Sequence, residues 1–122
     1  MSQEVINISE LKARLENFAN EREWRKFHSP KNLAMATSVE AAELTEIFQW
    51  VTEEESWKMG ESDKKEAIED EVADIMLYLV RLSSLLDIDV ANAIDRKFQK
   101  NIDKYPSEKF KGSARKYNES ED

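Results

Sequence analysis

The chain has no cysteine, and only two glycines, two prolines and one histidine among its 122 residues. The lack of cysteine excludes disulfides, thiolate nucleophiles and soft-metal thiolate sites, and fits a reducing, cytoplasmic setting. The scarce glycines and prolines fall where they interrupt nothing: Pro30 and Pro106 at the edges of periodic segments, Gly60 and Gly112 between or after them. That pattern predicts an all-α chain of long helices. No apolar run approaches the ~18 residues of a membrane span, and the polar, acidic N-terminal stretch does not read as a signal peptide, so no membrane partner is expected. The length predicts one domain, helical over residues 1–106 and ending in a polar, extended tail over 107–122.

Positive charge is also in short supply. Eighteen basic residues against 26 acidic ones leave a net charge of −8, which argues against a nucleic-acid partner. The distribution is uneven: residues 53–74 carry ten acids against three lysines, and residues 97–117 carry seven basic residues against Asp103 and Glu108. One region can hold cations while the other attracts a polyanion. For the tail alone, solvated charge runs are an equally good explanation.

Four helices are predicted. The first runs from Ser9 to Arg25, with Leu11, Leu15, Phe18 and Ala19 as its apolar stripe. The second opens at Ser29-Pro30, an N-cap followed by proline in the first helical position, and runs to Val51. A polar connector, TEEESWKMGES, follows. The third starts at Asp63, which with Glu66 has the form of a capping box, and continues to Leu86. The fourth runs from Asp89 to just before Pro106, with Val90, Ile94, Phe98 and Ile102 facing inward. Together they suggest a four-helix bundle-like fold. Met76, Leu77 and Val80 lie outside the main apolar arc of the third helix. A helix apolar all round is buried all round, so a second copy of the chain is expected to cover it, in a homodimer or homotetramer.

What stands out is acid where a soluble helix should carry leucine. In VEAAEL and DEVADI, Glu40 with Glu43 and Glu71 with Asp74 form two i, i+3 pairs. With ~100° per residue, Leu33, Ala36, Leu44, Ile47 and Val51 all fall within ~40° of Glu40. Ala67, Ile75, Tyr78, Leu82 and Leu85 surround the direction of Glu71 in the same way. The second acid of each pair lies ~60° to the same side. An unpaired buried carboxylate costs several kcal/mol, so the four acids call for a cation or a set of basic partners. Two such pairs on neighbouring antiparallel helices can converge on one site, and oxygen-only donors suit a hard cation, Mg²⁺ or Mn²⁺. Glu46, ~120° from Glu40, is expected to face solvent.

Other polar groups also interrupt apolar faces. Lys97 and Asn101 lie within ~60° of Ile94, where the lysine suits a phosphate and the asparagine a sugar hydroxyl or phosphate oxygen; outward snorkelling of Lys97 is the plainer alternative. His28 precedes the Ser-Pro cap and taken alone reads as a surface or capping residue. Trp24, Phe27, Phe48, Trp50 and Tyr78 are of types more often found in cores than in binding platforms. Trp50, at the end of the second helix and on the Glu43 side, is placed to stack on a nucleobase at the lip of a metal site.

In order along the chain, FANEREWRKFHSPKNL, VEAAELTEIFQW, EDEVADIMLYLVRLSSLLDID and KFQKNIDKYP with its KGSARKY tail resemble the MazG-like all-α nucleoside triphosphate pyrophosphohydrolases, most closely their dCTP pyrophosphatase branch. The likeness runs from about Phe18 to Tyr117. The E-x-x-E and E-x-x-D motifs are met by the two acid pairs, with 27 residues between Glu43 and Glu71. The resemblance implies a hydrolase that cleaves the α–β phosphoanhydride of a nucleoside triphosphate, dCTP or a 5-modified dCTP, to the monophosphate and pyrophosphate. It implies Mg²⁺ on Glu40, Glu43, Glu71 and Asp74, with Glu40 or Glu43 positioning the attacking water. It also implies His28, Trp50 and Tyr78, with Trp24 nearby, at the nucleoside, and Lys97 and Asn101 at the phosphates or sugar. A tail with Lys109, Lys111, Arg115, Lys116 and Tyr117 would close over the phosphates, and sites would be built between subunits. Thr37 departs from the pattern, standing where an aliphatic residue is expected.

Two other classes compete. A carboxylate-bridged di-iron or di-manganese bundle needs Glu-x-x-His pairs, and the lone histidine lies before the second helix. A non-enzymatic oligomerisation or interaction module accounts for the apolar third helix but not for acids in matched pairs on apolar arcs.

Overall fold

The computed structural model describes residues 4–114, and among them it contains helices and turns and no strand. The four predicted long helices form: α1 (Ile8–Glu21), α2 (Pro30–Phe48), α4 (Lys65–Leu85) and α5 (Val90–Lys104), with one-turn helices α3 (Glu53–Ser56) and α6 (Ser107–Phe110). Short 3-10 turns cover Arg25–Phe27 and Met59–Glu61. The chain falls into two compact units, Met1–Ile88 and Asp89–Asp122.

In the first unit α4 is the central element, packing on α2 along most of its length and on α1 by another face. The start of α2 follows the sequence: Ser29 accepts from the Asn32 amide at 3.1 Å, and Pro30 occupies the first helical position. Leu33 (2% exposed), Ala19 and Val80 are fully buried. On α2, Ala36, Glu40, Leu44 and Ile47 are half-buried, as the helical arc required, and Glu46 is exposed; Val51, half-buried too, lies past the end of the helix at Phe48. The Thr37 hydroxyl donates to the Leu33 carbonyl at 2.8 Å, which satisfies the one polar group that departs from an aliphatic pattern.

The helix ends explain how a chain with two glycines turns so sharply. α1 stops at Glu21 rather than Arg25, because Glu23 adopts a left-handed conformation (φ 54°). The Trp24 amide then donates to the Ala19 carbonyl at 2.9 Å and that of Glu23 to Asn20 at 3.1 Å, the two bonds of a Schellman cap. α4 ends the same way: Asp87 takes φ 54°, and the Ile88 amide reaches the Ser83 carbonyl at 2.8 Å. Acidic residues stand where glycine usually serves. The Lys12 ammonium donates to the Ile88 carbonyl at 2.6 Å, pinning α1 to that turn.

Three local expectations are corrected. The capping box expected at Asp63 and Glu66 does not form; α4 starts after Lys64, whose amide is bound by the Ser62 hydroxyl. The box lies instead in the polar connector, between Thr52 and Glu55, where it nucleates α3. The segment after Pro106 is not extended at once, since Ser107–Phe110 adds a helical turn and the Phe110 ring meets Tyr105 edge-on at 5.0 Å. In the second unit Ile94, Phe98 and Ile102 are 52–65% exposed rather than inward-facing, because one long helix and one helical turn offer no apolar surface to bury them against.

Of the outer apolar positions on α4, Val80 is buried within the chain, while Val72, Met76 and Leu79 remain more than 40% exposed. No helix among the described residues is long and apolar enough to cross a membrane.

Replacing Leu33 by alanine should cost about 2–5 kcal/mol in urea unfolding, the range for a buried leucine left as a cavity. Glu23→Gly should act oppositely and stabilise by about 1 kcal/mol, by relieving the left-handed strain. A Glu23→Gly variant less stable than the parent would show that the Glu23 side chain makes up for its backbone.

Candidate functional site

The α2–α4 seam sets the site, and three of the four acids, Glu40, Glu43 and Glu71, meet there. One carboxylate oxygen each from Glu40, Glu43 and Glu71 lies within 4.8 Å of the other two. Glu40 and Glu71 are half-buried and Glu43 is exposed, so the cluster is open to solvent on one side. Asp74 stands one turn further along α4, outside that trio but close enough for its charge to act on Glu71. None of the ion pairs among the described residues includes these acids; they join Arg22 to Glu21, and Arg25 and Arg81 to Glu16.

The electrostatics follow from the crowding. The Glu40 carboxyl is pushed up to about 7, first by its hydrogen-bonding contact with Glu71, then by burial and by Glu43. Glu71 is also raised. Its contact with Glu40 pulls it down, but desolvation and the charges of Glu43 and Asp74 outweigh that. Without a cation, the crowding favours a proton held on Glu40. The Oε2 atoms of Glu40 and Glu71 are closed off from water and have no hydrogen-bond partner. Orphaned oxygens, no basic partner and a purely carboxylate donor set fit a hard divalent cation.

Beside the cluster, α1, the Trp24–His28 turn, and α2 and α4 enclose a cavity of about 490 Å³, within the range of small-molecule sites. Leu11, Leu15, Phe18, Trp24 and Leu33 give it apolar and aromatic walls; Asp74, Tyr78, His28, Arg14 and Arg81 supply the polar groups. Trp24 meets Phe18 edge-on at 5.7 Å and His28 at 6.2 Å. Desolvation first, and then the charge of Arg81, hold His28 below its ordinary titration point, so the ring is neutral. Asp74 belongs to both places, lining the cavity and bordering the acid cluster.

Of the residues singled out in the sequence, the structure therefore brings Glu40, Glu43, Glu71, Asp74, Tyr78, His28 and Trp24 into one region of the first unit. Trp50 does not line the cavity and stands 88% exposed past the end of α2. Lys97 and Asn101 lie exposed on α5, in the second unit. Lys109 lies on α6 and Lys111 just after it, whereas Arg115, Lys116 and Tyr117 fall outside the described residues.

Sequence reasoning missed Arg81 and Glu16. Arg81, 2% exposed, donates from Nη1 to Glu16, which also receives Arg25 Nη1 at 2.9 Å. The Arg81 hydrogen bond is the largest cause holding Glu16 below its ordinary value. A signal was available: Arg81 is the only charged residue between Asp74 and Asp87, inside the most apolar stretch of the chain.

The same arrangement of helices occurs in a crystal structure of a pyrophosphatase from Archaeoglobus fulgidus. That chain is 40% identical, with a TM-score of 0.76, and the match covers 87% of this chain and 98% of that one. The human protein named dCTP pyrophosphatase 1 is 39% identical over 103 residues, 84% of this chain and 61% of its own length. Its bovine counterpart is 40% identical over 101 residues, 82% of this chain and 60% of its own. The chain thus spans about three fifths of the curated relatives it matches. The model of the MazG-like family matches residues 35–119, a stretch that starts on α2 and takes in all four acids, and with these likenesses the chain belongs to the MazG-like family.

Proposed function

We propose that the protein is a Mg²⁺-dependent nucleoside triphosphate pyrophosphohydrolase acting on dCTP or a 5-modified dCTP, a housekeeping activity on the nucleotide pool in the cytoplasm. The observation that carries this reading is the uncompensated trio Glu40, Glu43 and Glu71 at the edge of an aromatic-walled cavity. The names of the relatives support the substrate class. A non-enzymatic interaction module leaves unexplained two buried carboxylate oxygens without a partner.

Glu40, Glu43, Glu71 and Asp74 would hold the cation, Mg²⁺ with Mn²⁺ as a substitute. When bound it supplies neutralisation of the phosphate oxygens and a more acidic water. The residues then divide the remaining work. Glu43 or Glu40 orients a water in line with the α-phosphorus and takes its proton. The water oxygen bonds to the α-phosphorus as the bond to the α–β bridging oxygen breaks, and pyrophosphate leaves. Trp24, Tyr78 and neutral His28 hold the nucleoside in the cavity, and its apolar walls exclude water from the reacting end. By family likeness Trp50 is assigned to the nucleoside, Lys97 and Asn101 to the phosphates or sugar, and Lys109 and Lys111 to the phosphates. The exposed apolar positions of α4 and α5 support a homodimer or homotetramer, with the site completed between copies.

Glu71→Gln keeps the size and helix preference of the side chain but removes its charge. Turnover of dCTP, followed by ion-exchange chromatography of monophosphate and pyrophosphate, should fall by at least about 100-fold with an unchanged helical spectrum. Wild-type activity in that variant would remove the acids from the reaction.

A pH test separates metal binding from general salt effects. The Glu40 carboxyl titrates about 7 when folded, against an ordinary value of 4.5. The folded, metal-free protein therefore binds an extra proton between those points, and the stability this contributes is complete below the lower value and lost as pH rises through the upper one. Mg²⁺ competes with that proton, so its effect on the melting temperature should be small at about pH 6, larger at about pH 8, and absent in Glu71→Gln. An equal rise at both pH values, or one that survives in the variant, contradicts the assignment.

A further inference from the structure

Arg81 is only partly accounted for by its ion pair. Its side chain is 3% exposed, and Nη1 is used by Glu16. Nε and Nη2 have no hydrogen-bond partner and do not reach bulk water. In a guanidinium these two N–H groups share one edge and point the same way, a rigid fork that matches two adjacent acceptors. A buried cation with a purely structural role normally has its remaining donors met by carbonyls or carboxylates. This edge is unmet, in a residue that lines the cavity with His28, whose Nδ1 is orphaned as well.

We propose that Arg81 is the residue that reads the base, its Nε–H and Nη2–H edge donating to N3 and O2 of a cytosine ring. This rests on the pyrophosphohydrolase reading above and adds to it the group that selects among substrates. Cytosine presents N3 and O2 as neighbouring acceptors. Thymine and uracil present a donor, N3–H, in place of the first, so the fork meets one acceptor and one opposed hydrogen. His28 Nδ1 supplies an acceptor for the exocyclic amine next along the same edge of cytosine. The 5-position lies across the ring from N3 and O2, so 5-substituents do not meet Arg81. Both nitrogens are shut off from water in the unliganded cavity, so a base reaches them only as the wall gives way. An unmatched group there goes unsolvated, which is where hydrogen-bond discrimination is strongest.

The test uses the full chain with Mg²⁺ and compares kcat/KM for dCTP, 5-methyl-dCTP, dTTP, dUTP and 3-deaza-dCTP in wild type and Arg81→Lys. Lysine keeps a cation against Glu16 but has no paired edge. Wild type should prefer dCTP and 5-methyl-dCTP over dTTP and dUTP. In Arg81→Lys that preference should shrink on the order of 10- to 100-fold, mainly through the cytosine substrates. An unchanged ratio in a folded Arg81→Lys, an equal fall for every nucleotide, or no preference in wild type overturns the proposal. If Arg81→Lys does not fold, the comparison of dCTP with 3-deaza-dCTP on wild type decides. Removing the N3 acceptor should cost a similar factor, and no cost overturns the assignment. Binding of dCMP and dTMP by titration calorimetry separates the two readings. If wild type turns over no triphosphate, the pyrophosphohydrolase reading fails, while tighter binding of dCMP that is lost in Arg81→Lys still supports Arg81 as the base reader, and equal binding overturns it.

Discussion

The constraint on which the rest of the structure depends is the repulsion in the α2–α4 seam. Two helices whose apolar arcs should close against each other carry three carboxylates within 4.8 Å, and no basic side chain among the described residues is paired with them. The seam is held elsewhere: by Leu33 and the half-buried Leu44, Ile47, Ile75 and Leu82, and by the capped start of α2. That distribution keeps the acids together without letting them settle into salt bridges. The Arg81–Glu16–Arg25 network turns toward α1 and ties α1 and the following turn to α4. The arginines of the first unit that form ion pairs, Arg22, Arg25 and Arg81, are thus paired with Glu21 and Glu16 and not with the acids of the cluster. A divalent cation is the partner that such a seam leaves room for.

Helix α4 carries three tasks on three faces. One face supplies Glu71 to the cluster, the adjoining one carries Asp74 and Arg81 along the cavity, and a third leaves Val72, Met76 and Leu79 outward. Its register decides all of them at once, since a shift of one residue turns the helix ~100° and would swing the acids out of the seam. The Schellman turn at Asp87 and the Lys12 bond to the Ile88 carbonyl fix its end. Local capping at the C-terminus of α4 is therefore linked to the position of carboxylates several turns away.

The helices and the acid cluster were legible in the sequence because both depend on angular phase. Glu40 and Glu71 lay at the centres of their arcs, and packing the arcs together placed them in contact. What escaped was set by backbone detail or by tertiary partners. Glu23 and Asp87 in left-handed conformation have no compositional mark, so the sequence pattern carries α1 on to Arg25 although the helix stops at Glu21. Both Thr52–Glu55 and Asp63–Glu66 have the spacing of a capping box, and the sequence offers no way to know which will find its reciprocal bonds. The stripe Ile94, Phe98 and Ile102 has clear periodicity, but periodicity names a face and not what covers it. Arg81 escaped because a lone cation in an apolar stretch reads equally well as a side chain that snorkels to solvent.

The geometry also separates two kinds of recognition. The acid cluster addresses charge, and every nucleoside triphosphate presents the same charge, so the cluster cannot choose among bases. Choice has to arise where the groups differ, at the edge of the base, and by donors that bind the right edge and are left unmet by the wrong one. Arg81 and His28, which line the cavity, carry such groups in the unmet Nε, Nη2 and Nδ1, and Asp74 borders both regions. Asp74 and Arg81 stand seven residues apart on one face of α4, two helical turns or ~10 Å. That is about the span from a base edge across the sugar to the α-phosphate. On the proposed function, one rigid helix sets the distance between Arg81 at the base and Asp74 at the phosphates, without a hinge or a loop in between.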